Sequence, residues 1–422
     1  MTQPASSPES IPVDTERSVP ATDGIGDPRQ GGTFLFTMPW DIGAIGGVSQ
    51  VVKALMEQLA ESGPFRPVLA VNEWDQVHPR SVIEDGLERV FLRVRSPRQA
   101  RGVTPVGVLR YLLALPGHLR TLRSFARREE VRVVNAHFPG LDLLTWFAAR
   151  WLGGPRFTIV ISLHGLEVRS TFGRRGLERR LWSWMLRHAD HVVACSDGLR
   201  DEVLAEYGLP RERVATIHNG IEIERVAAAR AAAGPSDGRT RPYLCSVGTY
   251  EPKKAHDVLL HAFQRVAEAT DDLDLVMVGR RGETSAATAA LIDELGLGER
   301  VEMIEDLPHG ETLALMGGAS AFVLSSRVES FAIVLLEAGA LGTPVIATDI
   351  CGVGELIEDG LHGALVPSEN PEALAARILE LHDRPDRLRN LGHRLRDHVS
   401  SEFRWSTAAS RYLDLVGTAR PR

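Results

Sequence analysis

Cysteine and long apolar runs are both scarce in this sequence of 422 residues. The three cysteines are far apart and lack the spacing of a metal site, which predicts a reducing compartment instead of a disulfide framework. The best candidate for a membrane span, residues 106–119, is interrupted by Arg110 and Pro116. Because a spanning helix needs about 20 apolar residues, we expect no transmembrane helix.

The first 30 residues lack the apolar stretch of a secretory signal and are rich in Ser, Pro, Asp and Thr. This composition cannot bury enough apolar surface to fold, so residues 1–30 are predicted to be a disordered tail. Together with the cysteine usage, it predicts a cytoplasmic protein.

Lysine is the scarcest charged residue, since 45 of the 48 basic residues are arginines. Two of the three lysines, Lys253 and Lys254, are nevertheless adjacent. Such a pair in a chain that hardly uses lysine on its surface marks this position as a candidate site.

Negative charge is in excess overall, with a net charge of -7, so the molecule is not a general nucleic-acid binder. Residues 93–187 depart from this, because they contain 18 arginines and five acidic residues and so carry a net charge of +13. The rest of the chain therefore carries a net charge of -20. The asymmetry favours an anionic partner for the first half, either an acidic acceptor or a membrane surface at the inner face. The alternative is that arginine is simply the preferred surface cation of this chain.

The length predicts two domains, because one hydrophobic core rarely serves more than about 300 residues. Short β-rich apolar segments alternate with helical ones, which is typical of parallel sheets built from βαβ units. The predicted strands cover residues 33–38, 67–71, 132–136, 157–163, 191–195, 214–218, 243–247, 273–278, 301–304, 321–325, 344–348 and 363–366.

The fold class is therefore α/β, with two Rossmann-like, doubly wound parallel-sheet domains that face a cleft. Residues 226–241 are rich in Ala, Gly, Ser and Arg without a strand-like run and are predicted to be the linker. The predicted first domain is 31–225, the second is 242–402, and a helix at 403–418 is expected to pack back on the first.

Ligands of open parallel sheets bind beyond the carboxyl ends of the strands, so residues that follow strands are the candidates. Gly43, Gly46 and Gly47 follow the first strand and precede an amphipathic helix, where backbone amides favour an anion. The pattern is not a complete dinucleotide fingerprint, and a glycine-lined turn without a ligand is the alternative.

His137 and His164 each end a strand; we favour a structural role for His137 and a functional one for His164.

In the second half, Gly248 and Thr249 follow a strand and precede Lys254 at the start of a helix. A lysine at a helix N-terminus beside a glycine turn can neutralise a phosphate, which is the interpretation preferred for Lys254 over a solvated charge.

The segment "SSRVESFAIVLLEAGALGTP" places Arg327 and Glu329 in a loop and Glu337 inside an apolar helix predicted over 331–341, with Ser330 as N-cap. The first-turn amides of this helix suit a diphosphate. They belong to Ala332, Ile333 and Val334. A carboxylate in an apolar helix needs hydrogen bonds, and the two hydroxyls of a ribose would supply them to Glu337; a nearby backbone group is the alternative.

The segments "GGVSQVV", "HNGI", "VGTYEPKKAHDVLLHAF", "VLSS", "ESFAIVLLE" and "AGALGTPVIAT" together resemble the retaining GT-B glycosyltransferases of family 4, over nearly all of residues 32–418. The Glu-x7-Glu segment is the specific part of the resemblance. It implies a sugar nucleotide bound mainly by the second domain, an acceptor bound mainly by the first, and no obligatory metal or cofactor.

Carried over by position, the resemblance implies that Glu329 contacts the transferred sugar and that Glu337 holds the ribose. Lys254 and the amides of 332–334 would hold the diphosphate, which Gly47 would approach from the first domain. His164 would lie near the anomeric carbon. The implied catalytic residues are thus His164, Lys254 and Glu329.

Three positions depart from the family pattern. Thr249 stands where an arginine is frequent, for which Arg327 is a candidate replacement. Ala255 follows Lys254 in place of glycine, and Ala332 follows Phe331 in place of glycine. The extra methyl at Ala332 is expected to narrow the space beside the donor sugar.

Asp272 and Asp274 mimic a metal-binding DxD pair, but they precede a strand and are interpreted as a solvated strand entrance. The basic, aromatic segments 108–128 and 169–190 predict either a membrane-contacting surface or ordinary helices packed on the sheet.

The function predicted from the sequence is a retaining, hexosyltransferase-type and metal-independent transfer from a UDP- or GDP-linked sugar to a hydroxyl of a glycan, lipid-linked or small-molecule acceptor. The alternatives are a sugar-nucleotide epimerase of similar fold and a non-catalytic protein that binds sugar nucleotides.

Overall fold

The computed structural model of the protein describes residues 31–42, 46–73, 79–99, 102–173, 176–232, 239 and 241–417. The predicted tail at 1–30, Gly43 of the glycine loop, most of the second half of the predicted linker and the last residue of the predicted C-terminal helix lie outside the described residues.

In its described residues, the first half of the chain forms ten strands and seven α-helices. The strands are β1 (Thr33–Met38), β2 (Arg66–Asn72), β3 (Arg80–Glu84), β4 (Leu87–Leu92), β5 (Arg98–Gln99), β6 (Gly102–Val103), β7 (Val131–His137), β8 (Thr158–Leu163), β9 (His191–Ala194) and β10 (Val214–Thr216). The helices are α1 (Gly47–Ser62), α2 (Pro105–Arg128), α3 (Leu143–Trp151), α4 (Leu166–Arg169), α5 (Leu177–His188), α6 (Asp197–Tyr207) and α7 (Ile223–Ala232).

The described part of the second half forms six strands and seven α-helices. The strands are β11 (Tyr243–Val247), β12 (Asp274–Gly279), β13 (Val301–Glu305), β14 (Ala321–Leu324), β15 (Val345–Asp349) and β16 (Ala364–Pro367). The helices are α8 (His256–Ala269), α9 (Ser285–Glu294), α10 (His309–Gly318), α11 (Ile333–Leu341), α12 (Pro371–His382), α13 (Pro385–Glu402) and α14 (Trp405–Gly417). Of the helices in the described part of the chain, none combines the length and apolar character needed to cross a bilayer.

The two large sheets confirm the predicted α/β, doubly wound architecture. The strand order is β10-β9-β8-β7-β1-β2-β4-β3 in the first and β13-β12-β11-β14-β15-β16 in the second. In each sheet the chain starts in the middle, builds one side and then returns to build the other. The switch points therefore lie between β1 and β7 and between β11 and β14, where a crevice opens beyond the carboxyl ends.

The first sheet is not wholly parallel, which corrects the prediction at its edge. Strand β4 pairs parallel with β2, but β3 pairs antiparallel with β4 at the outer edge. The β3 sequence is mostly exposed and carries charged ends, as edge strands do to prevent pairing with another chain. Because β3 has no buried apolar run, the sequence pattern did not predict a strand there.

The predicted linker also needs correction, because its first part is helical. Residues 226–232 belong to α7, which packs on α10 and α11 of the second domain. Its Ala- and Arg-rich sequence has a high helix propensity. Arg230 donates a hydrogen bond to the Gly317 carbonyl at 3.2 Å.

Helix α14 belongs to the core of the first domain. Its buried face consists of Trp405, Ala408, Ala409, Tyr412 and Val416, at the spacing of an amphipathic helix. This face packs against α1. The Tyr412 hydroxyl lies 2.9 Å from the Ser162 hydroxyl of the first sheet.

The chain returns to the first domain past Gly220. A Cβ at this position would lie 2.3 Å from the backbone nitrogen of Trp405, so a side chain would push the two segments apart. The Ile221 amide donates to the Phe403 carbonyl at 2.9 Å beside this approach. The close packing of these two segments therefore requires the glycine of the "HNGI" segment.

Replacing Trp405 with alanine is expected to lower the free energy of unfolding by about 3 kcal/mol, because it removes a large side chain from the core contact of α14. Urea unfolding followed by circular dichroism measures this change. The control is Ser410→Ala on the exposed face of the same helix, which should change the free energy by less than about 0.5 kcal/mol. Equal effects of the two substitutions would show that α14 is not docked.

Candidate active site

The predicted site residues of the two domains meet at one cleft. Ser330, in the loop after β14, packs against Gly165, in the loop after β8: a Cβ on Gly165 would lie 1.8 Å from the Ser330 hydroxyl. Gly165 has a φ of +115°, which a side chain rarely adopts. A Cβ on Gly47 would lie 3.6 Å from the Ile333 Cδ1. The structure thus brings Gly47 and the His164–Gly165 turn next to the start of α11.

An ion pair joins Lys254, which follows β11, to Glu329, in the loop after β14. The Lys254 Nζ lies 2.6 Å from the Glu329 Oε1, and the Ser326 hydroxyl donates to the same oxygen at 2.7 Å. Both charged side chains are largely buried, with 16% and 12% of their surfaces exposed. Gly248 makes room for the lysine, since a Cβ there would lie 3.2 Å from Lys254 Cδ.

Ala255 adopts the left-handed conformation that the family glycine would favour, with φ 53° and ψ 44°. A residue with a Cβ pays about 1–2 kcal/mol in this region. The Ser325 hydroxyl bonds the carbonyls of Lys254 at 3.0 Å and Ala255 at 3.1 Å. The substitution therefore keeps the turn that aims Lys254 into the cleft.

The start of α11 differs from the prediction. The helix begins at Ile333, two residues later than expected, and its N-cap is Ala332 without a side-chain hydrogen bond. Ser330 is not the cap, because its hydroxyl accepts a hydrogen bond from Arg169 at 2.8 Å. Phe331 instead stacks on the ring of His218, with ring centroids 5.4 Å apart.

One of the three predicted diphosphate donors is already engaged. The Ile333 amide donates to the Phe331 carbonyl at 3.0 Å, across Ala332 at φ -79° and ψ 85°, close to an inverse γ-turn. This corrects the expectation that all three amides, which include that of Val334, are free. Ala332 itself is buried at this turn.

Glu337 is buried in α11, and its hydrogen-bond partner is a side chain that the sequence analysis did not identify. The Nε2 of His309, the first residue of α10, lies 2.8 Å from the Glu337 Oε1. This hydrogen bond raises the pKa of His309, whose side chain is half exposed. Neither of the two expected partners, a ribose or a backbone group, is needed to satisfy this oxygen.

Arg327, the candidate replacement for the cation missing at Thr249, is engaged by other groups of the protein. Its guanidinium donates to Asp257 at 2.7 and 3.0 Å and to the Pro252 carbonyl at 2.6 Å, and it pairs with Glu369. These partners neutralise the Arg327 guanidinium at the surface, and the phosphate contact stays a prediction. Thr249 lies in the loop after β11, and its carbonyl accepts from the Glu251 amide at 2.7 Å.

The two strand-end histidines bond each other. His137 Nδ1 lies 3.0 Å from His164 Nε2, and the rings stack with centroids 5.2 Å apart. Burial lowers the pKa of His164 to about 4 and lowers that of His137 as well. His164 is therefore neutral near pH 7 and can offer a hydrogen bond, but not a positive charge, to a ligand.

Two bridges between the domains were missed by sequence reasoning. Arg169 is held by Glu202 at 2.7 and 2.9 Å and reaches Ser330 in the second domain. Glu355 accepts from the amides of Asp197 and Gly198, both at 2.7 Å, at the start of α6. The partners are far apart in the sequence, so no local pattern indicates either contact.

One group of residues in the described ranges has the composition of a metal site, namely Asp197, His218 and Glu355. Its carboxylates are already engaged: Glu355 bonds two amides and His218, and Asp197 accepts from Thr216 at 2.6 Å. Asp272 lies outside the cleft, where it accepts from His382 at 3.1 Å.

The comparison with known proteins decides the family. The model of "Glycosyltransferase Family 4" matches residues 45–225, and that of "Glycosyl transferases group 1" matches residues 235–398. D-inositol 3-phosphate glycosyltransferase 2 of Catenulispora acidiphila is 31% identical over 326 residues, covering 71% of this chain and 75% of that protein. The chain belongs to glycosyltransferase family 4.

Other family 4 relatives match over different lengths. D-inositol 3-phosphate glycosyltransferase of Streptomyces bingchenggensis is 32% identical over 245 residues, which is 55% of this chain and only about half (53%) of that protein. Phosphatidyl-myo-inositol mannosyltransferase of Mycobacterium leprae is 28% identical and covers 90% of this chain and 95% of its own.

Solved structures show that this family 4 protein has the GT-B fold. Sucrose-phosphate synthase from Thermosynechococcus elongatus superposes with a TM-score of 0.72 at 22% identity, over 92% of this chain and 100% of that one. Anabaena HepE, solved with UDP-glucose, superposes with a TM-score of 0.68 at 18% identity over the same shares.

Replacing Glu337 with glutamine is expected to lower the pKa of His309, because the carboxylate that stabilises the imidazolium is lost. An NMR titration of the histidine ring protons measures the shift. In the wild type the raised pKa means that this hydrogen bond adds stability below pH 6.5 and ceases to do so as the pH rises through the pKa of the folded protein.

The control is Glu311→Gln, the same change on the exposed side of α10, which should leave the His309 titration unchanged. A His309 pKa that is equal in wild type and Glu337→Gln would contradict the described contact.

Proposed function

We propose that the protein transfers a sugar, with retention and without a metal, from a nucleoside diphosphate to a hydroxyl of an acceptor in the interdomain cleft. The observation that carries the proposal is the buried ion pair of Lys254 and Glu329 at the switch point of the second sheet. A buried pair of charges is costly to assemble and is weak evidence for stability. Its place beside the N-terminus of α11 suits a diphosphate and a sugar.

Lys254 and the helix start supply the charge stabilisation. The diphosphate gains negative charge as the bond to the anomeric carbon breaks, and Lys254 with the amides of Ala332 and Val334 would stabilise it. The Ile333 amide would join them only if its bond to Phe331 opens. Gly47 offers space for the diphosphate from the other side of the cleft.

The sugar and the ribose would be held by the two glutamates. Glu329 would accept hydrogen bonds from hydroxyls of the transferred sugar. Glu337 would accept hydrogen bonds from the ribose hydroxyls, either through the carboxylate oxygen that His309 does not contact or through the other oxygen after His309 has been displaced. His164, which is neutral, would donate or accept a hydrogen bond near the anomeric carbon. In this scheme the leaving phosphate takes the proton of the acceptor hydroxyl on the same face of the sugar, so no separate general base is required.

The donor and acceptor classes follow from the same cleft and from the relatives. UDP- and GDP-linked sugars are the proposed donors, and UDP is supported by the HepE structure solved with UDP-glucose. Relatives named for D-inositol 3-phosphate and phosphatidyl-myo-inositol support a hydroxyl-rich acceptor, either free or lipid-linked.

Melting temperatures measured with UDP, GDP and ADP identify the base of the donor, since a ligand that binds the folded state raises the melting temperature.

Lys254→Gln is expected to lower the rate of sugar transfer by about 100-fold, because it removes the cation that faces the leaving group. The matched control is Lys253→Gln at the adjacent residue, whose side chain pairs with Glu251 at 2.7 Å on the surface. It should leave the rate within about twofold, as surface ion pairs contribute little. Product formation from a labelled donor measures both rates, and equal losses would refute the assignment.

The two alternatives predict other outcomes of the labelled-donor assay. An epimerase forms the epimer of the donor sugar without an acceptor. A non-catalytic binding protein gives neither transfer nor donor hydrolysis, and then Glu329→Ala and wild type do not differ in turnover.

Peripheral contact with an anionic membrane is a further part of the proposal, and it centres on α2. Val106, Leu109, Leu112 and Leu113 are more than half exposed on this helix, followed by the exposed Arg120, Arg127 and Arg128. Apolar and basic side chains in this arrangement suit an anionic bilayer. In α5, by contrast, Trp182 and Met185 are buried, which corrects that part of the predicted surface; Arg174 and Arg175 lie outside the described residues.

The double variant Leu109→Ser/Leu113→Ser is expected to lose binding to anionic vesicles, because the inserted apolar area is removed. Vesicle sedimentation at low and high salt measures the binding, which should weaken with salt. Ile83→Ser, at an exposed apolar residue on β3, is the control and should bind as the wild type does. Wild-type binding that does not depend on salt or anionic lipid would contradict the contact.

A further inference from the structure

The guanidinium of Arg169 contacts both domains at the place where they approach each other. Arg169 is the last residue of α4 in the first domain, and 19% of its side chain is exposed. Its Nη1 donates to the Ser330 hydroxyl at 2.8 Å, and its Nη2 donates to the Glu329 carbonyl at 3.4 Å. Both acceptors belong to the second-domain loop after β14, which carries the carboxylate proposed to hold the sugar. The contact therefore links the first domain to the donor side of the cleft.

Glu202, on α6 of the first domain, fixes the direction of this guanidinium. Its two carboxylate oxygens accept hydrogen bonds from the Arg169 Nε at 2.7 Å and from the Nη2 at 2.9 Å. Two parallel hydrogen bonds of this kind set the plane of a guanidinium as well as its position. The Nη1 on the other side of the plane then points to Ser330. Arg169 is thus oriented by a residue of its own domain.

Helix α4 also ties Arg169 to the His164 turn. The carboxylate of Glu167, in the same helix, accepts hydrogen bonds from the backbone amides of His164 and of Gly165, the latter at 3.2 Å. A Cβ on Gly165 would lie 3.3 Å from the Arg169 Nη1, in addition to its overlap with Ser330. The histidine proposed to lie near the anomeric carbon and the arginine that contacts the second domain therefore belong to one short, hydrogen-bonded segment.

The contacted loop is also held within the second domain. The Glu329 carboxylate accepts hydrogen bonds from Lys254 at 2.6 Å and from the Ser326 hydroxyl at 2.7 Å. The main chain of Ser330 packs closely on Gly352, where a Cβ would lie 2.4 Å from the Ser330 carbonyl oxygen. The second domain thus supports the loop from its own side, and the guanidinium is the contact that the first domain makes with it.

We propose that Arg169 is a positioning residue for the transfer reaction, which holds the 329–330 segment at a fixed place relative to the His164 turn. The inference rests on the proposed function and adds to it a residue that need not touch the substrate. In that function Lys254 and amides of α11, all in the second domain, hold the diphosphate, so nucleotide binding does not depend on the arginine. Sugar transfer does, because a misplacement of about 1 Å between reacting groups can lower a rate by about 100-fold.

Arg169→Gln is expected to lower the kcat of sugar transfer by about tenfold and to leave the Kd of the nucleoside diphosphate within about twofold. The rate is the release of diphosphate from UDP-glucose and GDP-mannose, with inositol phosphate or water as the acceptor. Calorimetric titration of the same full chain with UDP and with GDP gives the Kd. A residue with a merely structural role would not separate the two quantities.

Ser330→Ala removes the same contact from the other domain and should lower kcat by a similar factor. The double variant Arg169→Gln/Ser330→Ala should lose no more than either single variant, since both substitutions break one interaction. Losses that multiply would show that the two residues act separately, which overturns the inference. If the melting temperature shows that Arg169→Gln is unfolded, Ser330→Ala alone decides, by the same comparison of kcat with Kd.

The matched control is Arg179→Gln. Arg179 pairs with Glu206 at 3.2 Å, one turn beyond Glu202 on α6, and both of these residues belong to the first domain. Its kcat should stay within about twofold of the wild type, as partly exposed ion pairs contribute little. Equal losses in Arg169→Gln and Arg179→Gln would reveal a general disturbance of the first domain and overturn the inference.

The remaining outcomes separate the inference from the function on which it rests. A Kd for UDP or GDP that rises by the same factor as kcat falls would make Arg169 a nucleotide ligand and refute its positioning role. Wild-type turnover together with an unchanged kcat in Arg169→Gln refutes the inference alone. A wild type that binds neither nucleotide and releases no diphosphate refutes the proposed function, and the inference falls with it.

Discussion

The proposed site requires residues after strands of both sheets to lie together, and the contact of Ser330 with Gly165 is one place where the two domains meet closely. A side chain at Gly165 would overlap the Ser330 hydroxyl, and the backbone there has a φ of +115°. Arg169 reinforces the approach by donating to Ser330 at 2.8 Å. Because this contact joins the loop after β8 to the loop after β14, it places His164 within the same cleft as Lys254.

The ion pair of Lys254 and Glu329 is the second feature on which the proposed site depends. The Glu329 carboxylate accepts hydrogen bonds from Lys254 and from the Ser326 hydroxyl. A diphosphate would compete with the carboxylate for Lys254, while sugar hydroxyls would compensate the carboxylate. The pair thus holds both groups in place before the donor binds, which is a form of preorganisation.

Much of the fold could be predicted from the sequence because buried parallel strands are continuous apolar runs. Strand β8, whose six residues are all buried, is an example. The exposed edge strand β3 was missed because it has no such run, and α7 was missed because its Ala- and Arg-rich segment was interpreted as a linker. The positions of Lys254, Glu329 and Glu337 could be inferred from local patterns around the strand ends.

The partners of those residues could not be inferred, since they depend on how distant segments meet. His309 approaches Glu337 from another helix, and Asp257 with Glu369 captures Arg327 from two different segments.

A crystal structure of the protein with the nucleoside diphosphate that most raises its melting temperature tests the central claim most directly. The account predicts the diphosphate between Gly47 and the N-terminus of α11, with Lys254 Nζ on a phosphate oxygen and Glu337 on the ribose. A nucleotide bound elsewhere, with the ion pair of Lys254 and Glu329 intact, would contradict it.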